Sequence, residues 1–137
     1  MFPSFFFYNA RSMNIIDKFY SDAKRRAAAV EFSEGRKIIA DLFCKTVAVY
    51  DKQAVQLAED FADYRLGAEI SAIDEDIEWF YKIFSLIDGS FDDSMNFSEE
   101  DWEAITVIID SAADDLDMDL LNSLMAVIVD RKKIRGR

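Results

Sequence analysis

Residues that interrupt helices are scarce in this chain. Proline occurs once, at Pro3, and none of the 31 residues between Gly35 and Gly67 is a proline or a glycine. Because these two residue types are the strongest interrupters of regular structure, their scarcity favours long helices and disfavours a β fold rich in turns. We therefore predict an all-α protein, folded as a single compact helical bundle of about five helices with one long central helix.

The apolar residues indicate where those helices lie, because they recur at spacings of three and four residues, as on one face of an α-helix. The predicted helices span residues 14–32, 34–65, 74–88, 98–113 and 117–133. A length of 137 residues fits one domain, which we place at residues 13–137. Residues 1–12, with four consecutive aromatic residues, form an expected N-terminal arm that is disordered in part, as untethered termini are.

The predicted helix over residues 34–65 carries a heptad seam, a stripe of apolar residues at alternating four- and three-residue steps. The seam consists of Phe43, Val47, Tyr50, Ala54, Leu57, Phe61 and Tyr64. An unbroken helix of 31 residues would span roughly 46 Å, whereas a small domain is about 30 Å across. The helix therefore bends near residues 51–53, protrudes from the domain or packs on a second copy, and the last alternative makes the chain a homodimer.

The chain has no histidine and one cysteine, Cys44. Histidine is the commonest general base and metal ligand, so pairs of serine or cysteine with histidine are excluded, and so are typical zinc sites. Any catalysis has to use carboxylates, with or without a hard cation. Cys44 is expected to be a buried structural thiol, and a cysteine without a disulfide partner fits the reducing cytoplasm. No apolar run approaches the ~18 residues of a membrane span.

The net charge of −11 is unevenly distributed. Residues 51–119 carry 21 acidic and 3 basic side chains, net −18, whereas residues 1–50 are net +3 and residues 120–137 are net +4. Such a field disfavours nucleic acid and favours basic partners or cations. The leading hypothesis is a non-enzymatic interaction protein whose acidic surface binds a basic surface of another protein, as an inhibitor, immunity-type protein, chaperone or nucleic-acid mimic. The alternative is an acidic surface that serves solubility alone.

The loop of residues 88–99 joins two predicted helices and carries oxygen-bearing side chains at alternating positions. They are Asp88, Ser90, Asp92, Ser94, Asn96 and Glu99, at loop positions one, three, five, seven, nine and twelve. This pattern resembles a degenerate EF-hand, whose loop binds calcium through oxygens at those positions. The resemblance implies a weakly bound calcium or magnesium ion, and no other cofactor is expected. The implied ligands are Asp88, Ser90, Asp92, Asn96 and Glu99. Asp93 stands where that family has glycine, so the alternative is an acidic turn between capped helices.

Two short acidic clusters precede this loop. Glu59, Asp60 and Asp63 form one, and Glu75, Asp76 and Glu78 form the other. The layout is similar to the paired EExxE and ExxD motifs of all-α nucleoside triphosphate pyrophosphatases. The resemblance implies carboxylates on two facing helices that hold Mg²⁺, with substrate phosphates completing its coordination. The alternative is a solvated acidic helix face without a site.

Overall fold

A computed structural model of the protein describes residues 10–135, and the side chains of residues 15–131. This part contains six α-helices, two short 3₁₀ segments and no strand, which confirms the all-α prediction. The helices are α1 (Ala10–Ala28), α2 (Phe32–Tyr50), α3 (Val55–Leu66), α4 (Ile73–Asp88), α5 (Glu99–Ala112) and α6 (Met118–Arg135). Most of the predicted arm, residues 1–12, lies outside the described residues, and its last three belong to α1.

The predicted central helix over residues 34–65 is two helices, so the expectation of one long helix is wrong. The chain bends at the 3₁₀ segment Lys52–Ala54, which overlaps residues 51–53, where the length argument allowed a bend. Asp51 takes an extended conformation, with φ −153° and ψ 107°, and its carboxylate accepts the backbone N–H of Gln53 at 2.9 Å. Aspartate side chains compete in this way with helical hydrogen bonds, which explains the break in a stretch that has no proline or glycine.

The heptad seam lies inside the chain's own core. Five of its seven residues are at most 1% exposed, namely Phe43, Val47, Ala54, Leu57 and Phe61, whereas Tyr50 is 40% exposed. Because α2 and α3 fold back on each other at Asp51, these side chains pack on one another and on α4 and α5. The seam is therefore not a surface on which a second copy can pack, and the predicted homodimer would need another face.

Helix α4 lies at the centre of the bundle and contacts α1, α2 and α6. Its apolar side chains are buried on several sides, as expected of a helix surrounded by others. The buried set comprises Ile77, Trp79, Phe80, Ile83, Phe84, Leu86 and Ile87. Gly89 ends the helix with φ +85°, a left-handed conformation that glycine adopts without strain.

Candidate functional site

The predicted cation ligands at the start of the loop lie in two successive turns. Asp88 Oδ1 accepts two hydrogen bonds from Ser90, one from its N–H at 2.9 Å and one from its hydroxyl at 2.6 Å. Asp92 Oδ1 accepts from Ser94 in the same way, from the N–H at 2.8 Å and from the hydroxyl. The Ser94 hydroxyl, followed by the Ser94 N–H, lowers the pKa of Asp92. Both acids thus shape local turns through their own neighbours.

The other two predicted ligands lie at the end of the loop. Asn96 Oδ1 accepts from Trp102 Nε1 at 3.5 Å, and Glu99 is the first residue of α5. Within residues 10–135, no three Cys, Asp or Glu side chains lie close enough together to hold a metal ion. No residue there except glycine has a positive φ, so Asp93 does not make the sharp turn for which EF-hand loops use glycine. Cation binding by this loop stays a prediction.

An aromatic cluster and two basic side chains hold the loop in place. Phe91 stacks on Phe97 with ring centroids 5.8 Å apart, and both rings lie nearly perpendicular to the Trp102 ring. Lys82 Nζ donates to the Asn96 carbonyl at 2.6 Å. The ring contacts of Phe91 therefore help to anchor the loop.

Arg131, near the end of α6, completes that anchor. Its guanidinium lies 5.6 Å from the ring centroids of both Phe91 and Trp102, within the range of cation–π attraction. The same side chain donates to the Met95 carbonyl at 3.0 Å. The loop is therefore fixed by contacts that need no bound ion.

The first acidic cluster of the pyrophosphatase hypothesis lies on α3, beside Cys44 of α2, and its charges affect the Cys44 thiol. Burial is the main cause that raises the pKa of this thiol to about 11. Three neighbouring carboxylates act in the same direction: Glu59, Asp41 and Asp63. A thiol with so high a pKa stays protonated near neutral pH and is a poor nucleophile. Cys44 is half-buried, and its burial and acidic neighbours fit a structural thiol.

The second acidic cluster lies on α4, and each of its members has a different partner. Glu75 Oε2 accepts two backbone N–H groups at the start of the helix, at 2.7 and 2.8 Å. Glu78 Oε1 accepts the hydroxyl of Tyr20 on α1 at 3.4 Å, and Asp76 is buried against α2 and α3. Since no three acidic side chains form a possible metal group in the described residues, the structure does not bring Glu59, Asp63 and this cluster together.

The buried carboxylate of Asp76 is held by two arginines. Arg36 Nε lies 2.7 Å from Oδ2, and Arg65 Nε lies 2.7 Å from Oδ1. Arg36 also donates to the carbonyls of Arg65 and Ala68, both at 2.8 Å, where α3 ends. This network joins α2, α3 and the first turn of α4. A guanidinium suits the position because its planar donors reach a carboxylate and carbonyls at once.

The sequence interpretation missed this network, because it placed Asp76 either in a Mg²⁺-binding cluster or on a solvated helix face. A usable signal exists, because Asp76 precedes Phe80 by four residues and Ile83 by seven, so it belongs to the buried face of α4. An acid on an apolar face implies a basic partner. The identity of that partner is not local, since Arg36 lies 40 residues away.

A second buried contact joins the first turn of α5 to the bundle. Asp101 Oδ1 accepts the Tyr64 hydroxyl at 2.8 Å, and Oδ2 accepts Trp79 Nε1 at 3.0 Å. The Ser98 hydroxyl caps the helix by accepting the Asp101 N–H at 3.1 Å. The pKa of Tyr64 is raised to about 12, first by burial and second by the hydrogen bond to Asp101.

A groove of about 440 Å³ opens where the end of α2, the end of α4 and the start of α6 meet. We call it the acid-rimmed groove. It is lined by Tyr50, Asp51, Ile87, Asp88, Gly89, Asp117, Met118, Asp119, Leu120 and Ser123. Four of these residues are aspartates from three separate segments, which the sequence order does not place together.

Two apolar side chains are exposed within the acid-rimmed groove. Met118 is 67% exposed and Tyr50 is 40% exposed. The Tyr50 ring rests edge-on against Phe84, at a centroid distance of 5.5 Å. Burial, then the charges of Asp88 and Asp51, raises the pKa of Tyr50, so its hydroxyl remains a neutral donor near pH 7. The lining of the groove thus combines two exposed apolar side chains with four carboxylates.

Comparison with known proteins returned no similarity: no family model, curated protein or solved structure matches the chain. The functional evidence therefore comes from the chain's own residues. Among residues 10–135, no helix has the length and apolar character needed to cross a bilayer.

Proposed function

We propose that the protein is a non-enzymatic interaction protein that binds a basic segment of another protein in the acid-rimmed groove. The observation that carries this proposal is the position of exposed Met118 and Tyr50 among four aspartates. Protein interfaces commonly have an apolar or aromatic centre and a polar rim. Because every charged group that lines this groove is acidic, a complementary partner presents lysine or arginine around an apolar side chain.

The two exposed apolar residues suit the centre of such an interface. Methionine is unbranched and polarizable, so the Met118 side chain adapts to the shape of what it meets. Tyrosine has few rotatable bonds, and tyrosines are enriched among the residues that dominate binding energies. The contact of Tyr50 with Phe84 of α4 limits the freedom of its ring before any partner arrives.

Helix capping holds two of the rim carboxylates in place. Asp51 Oδ1 accepts the Gln53 N–H at 2.9 Å, and Asp117 Oδ1 accepts the Leu120 N–H at 2.8 Å. A carboxylate has about four acceptor sites, so an oxygen that caps a helix leaves the group able to face a guanidinium or an ammonium. Fixed charges of this kind speed association and select partners more than they tighten binding.

The wider charge distribution supports the same proposal. Residues 51–119, which include all four aspartates of the groove, carry a net charge of −18. A field of one sign accelerates the encounter with a partner of the opposite sign, and salt weakens it over a distance of ~8–10 Å. Binding in the groove should therefore be faster at low salt.

The test is an affinity capture from the source-cell lysate, in which a groove variant and a matched control are compared. Met118→Ser removes the more exposed of the two apolar side chains in the groove, and Val107→Ser removes an apolar side chain that is 63% exposed on α5, outside the groove. We expect a protein with a basic segment to be retained by the wild type and Val107→Ser and depleted with Met118→Ser. A peptide of that segment should then bind the purified protein in calorimetry.

A second pair of variants tests the charge. Asp119→Asn removes a rim carboxylate, and Asp110→Asn removes an exposed carboxylate elsewhere on the surface. The first should slow association with the partner peptide and flatten its dependence on salt, whereas the second should do so much less. Equal capture by the wild type and all groove variants would overturn the proposal.

A further inference from the structure

A second concave site lies between α1 and α4 and shares no residue with the acid-rimmed groove. We call it the tyrosine cleft. It has a volume of about 570 Å³ and is lined by Asp17, Tyr20, Ser21, Glu78 and Tyr81. Each helix thus contributes one carboxylate and one tyrosine.

The two walls of the cleft are built by matching stretches of sequence. Residues 17–20 read Asp-Lys-Phe-Tyr, and residues 78–81 read Glu-Trp-Phe-Tyr. In both, the phenylalanine points into the core, with Phe19 3% exposed and Phe80 fully buried. Residues three apart lie on the same side of a helix, so each acid stands beside the tyrosine of its own wall. The core packing of the phenylalanines fixes the orientation of both walls.

The two tyrosine rings meet at a right angle. Their centroids are 6.4 Å apart and their planes are at 90°. The Tyr20 hydroxyl donates to Glu78 Oε1 at 3.4 Å, which links the walls. Burial raises the pKa of Tyr81, and the nearby charges of Asp17, Asp88, Glu78 and Asp92 act in the same direction. The cleft therefore combines two aromatic faces with a negative field.

One aromatic face already holds a cation of the protein itself. Lys24 Nζ lies 5.4 Å from the centroid of the Tyr20 ring. Aromatic faces attract alkylammonium groups through the ring quadrupole, and the attraction is effective within about 6 Å of the centroid. This contact is independent of the carboxylates, and it shows that the Tyr20 ring accepts an ammonium group at cation–π distance.

We propose that the tyrosine cleft binds an alkylammonium group between the Tyr20 and Tyr81 rings, with Asp17 and Glu78 as its counter-charges. The rings attract the cation and contact its carbon chain, and the carboxylates accept hydrogen bonds from its nitrogen. The ammonium can belong to a free polyamine or to a lysine side chain of a bound protein, because both present the same group. The proposal does not rest on the function of the acid-rimmed groove.

The first test is calorimetric titration at low ionic strength with spermidine and, separately, with Nα-acetyl-lysine amide. Tyr20→Leu removes one aromatic face and should weaken binding by about threefold to thirtyfold, whereas Tyr20→Phe keeps the face and should stay within about twofold of the wild type. Tyr50→Leu is the matched control, since it removes a tyrosine ring from the other groove. Circular dichroism confirms that each variant is folded.

The second test uses the resident lysine. Lys24→Ala removes the ammonium that competes for the Tyr20 ring, and Arg26→Ala removes an exposed positive charge from the same helix without a ring contact. We expect Lys24→Ala to bind the probe more tightly than Arg26→Ala does, by at least about twofold. Equal affinities in the two variants would mean that the gain is only the change in net charge, and would contradict the proposed position of the ligand.

The two probes distinguish the source of the ammonium. Ring-dependent binding of Nα-acetyl-lysine amide shows that a single lysine side chain suffices as the ligand, whereas ring-dependent binding of spermidine alone indicates a polyamine. Binding that Tyr20→Leu does not weaken would be general attraction to an acidic surface and would overturn the proposal, as would the absence of binding by both probes. Asp17→Asn provides a second, exposed variant if Tyr20→Leu fails to fold, and it should weaken binding more than Asp110→Asn.

Discussion

Arg65 Nε at the last turn of α3 lies 2.7 Å from Oδ1 of Asp76 at the first turn of α4, and the Asp76 side chain is completely buried. The opposite oxygen of the same carboxylate lies 2.7 Å from Arg36 of α2. A buried ion pair adds little net stability compared with apolar residues of the same size, but removing one partner leaves an uncompensated charge in the interior. The contact therefore fixes how the three helices meet, and the stability of the fold depends on the presence of all three charged side chains.

The first prediction concerns this contact. Asp76→Ala should lower the free energy of unfolding by about 3–5 kcal/mol, because Arg36 and Arg65 would then face each other without a counter-charge. Asp74→Ala, an exposed acid in the same helical turn, should change it by about 0.5 kcal/mol or less. Urea unfolding followed by circular dichroism measures both. Similar losses in the two variants would show that helix-dipole effects, not the buried pair, dominate.

The second prediction concerns the heptad seam. Leu57→Asp should unfold the chain instead of separating a dimer, because Leu57 is fully buried and a carboxylate there would have no partner. Val49→Asp makes the same type of change at a residue that is 69% exposed and should leave the helical content unchanged. Circular dichroism with light scattering checks this. A folded, monomeric Leu57→Asp protein obtained from a dimeric wild type would restore the seam as an interface.

The break in the seam shows what periodicity can and cannot predict. The spacing of apolar residues indicated the helices and the buried face of α3, because both follow from a local repeat. It did not decide between a bend and a straight helix, since that depends on one side chain, Asp51, accepting the N–H of Gln53. The length argument indicated that a bend would lie near residues 51–53. A straight helix that packs on a second copy of the chain would have been equally consistent with that argument.

The sites are harder to predict than the fold because they depend on long-range neighbours. The acid-rimmed groove needs the ends of two helices and the start of a third, and no local pattern in the sequence brings these three segments together. The tyrosine cleft brings together residues that are far apart in the sequence, such as Tyr20 and Glu78, which are separated by 58 positions. The predicted calcium loop, in contrast, was a local sequence pattern. In the structure, the aromatic contacts of Phe91 hold this loop in place without a bound ion.

The third prediction concerns calcium. We expect the loop of residues 88–99 to bind calcium no more tightly than ~10⁻⁴–10⁻³ M, because Asp93 lacks the turn geometry of an EF-hand and no three acids in the described part form a metal group. Trp102 lies next to the loop and reports binding by fluorescence. Glu99→Gln should remove any signal and Glu103→Gln should not. A micromolar midpoint that Glu99→Gln abolishes would show that the loop rearranges around the ion.

The last prediction concerns Tyr64 and alkaline pH. Its pKa is raised from the ordinary value of 10.0 to about 12, first by burial and then by its hydrogen bond to Asp101. In the unfolded chain the hydroxyl ionises near pH 10, whereas in the folded chain it keeps its proton until about pH 12. The unfolded state therefore binds fewer protons in this window, and the free energy of unfolding falls as the pH rises.

The stabilising contribution of Tyr64 is fully present below pH 10 and is lost as the pH approaches 12. Tyr64→Phe removes both the hydrogen bond and the titration, so its free energy of unfolding should be lower at neutral pH and should decline less steeply above pH ~10. Urea unfolding at a series of pH values measures the two slopes, and Tyr50→Phe controls for the loss of a different tyrosine whose pKa is also raised. Because Tyr64 donates to Asp101 across the boundary of α3 and α5, Tyr64→Phe should change the slope more than Tyr50→Phe does. Equal slopes for the wild type and Tyr64→Phe would mean that the Tyr64 hydroxyl ionises alike in the folded and unfolded chains, and that its bond to Asp101 does not persist in solution.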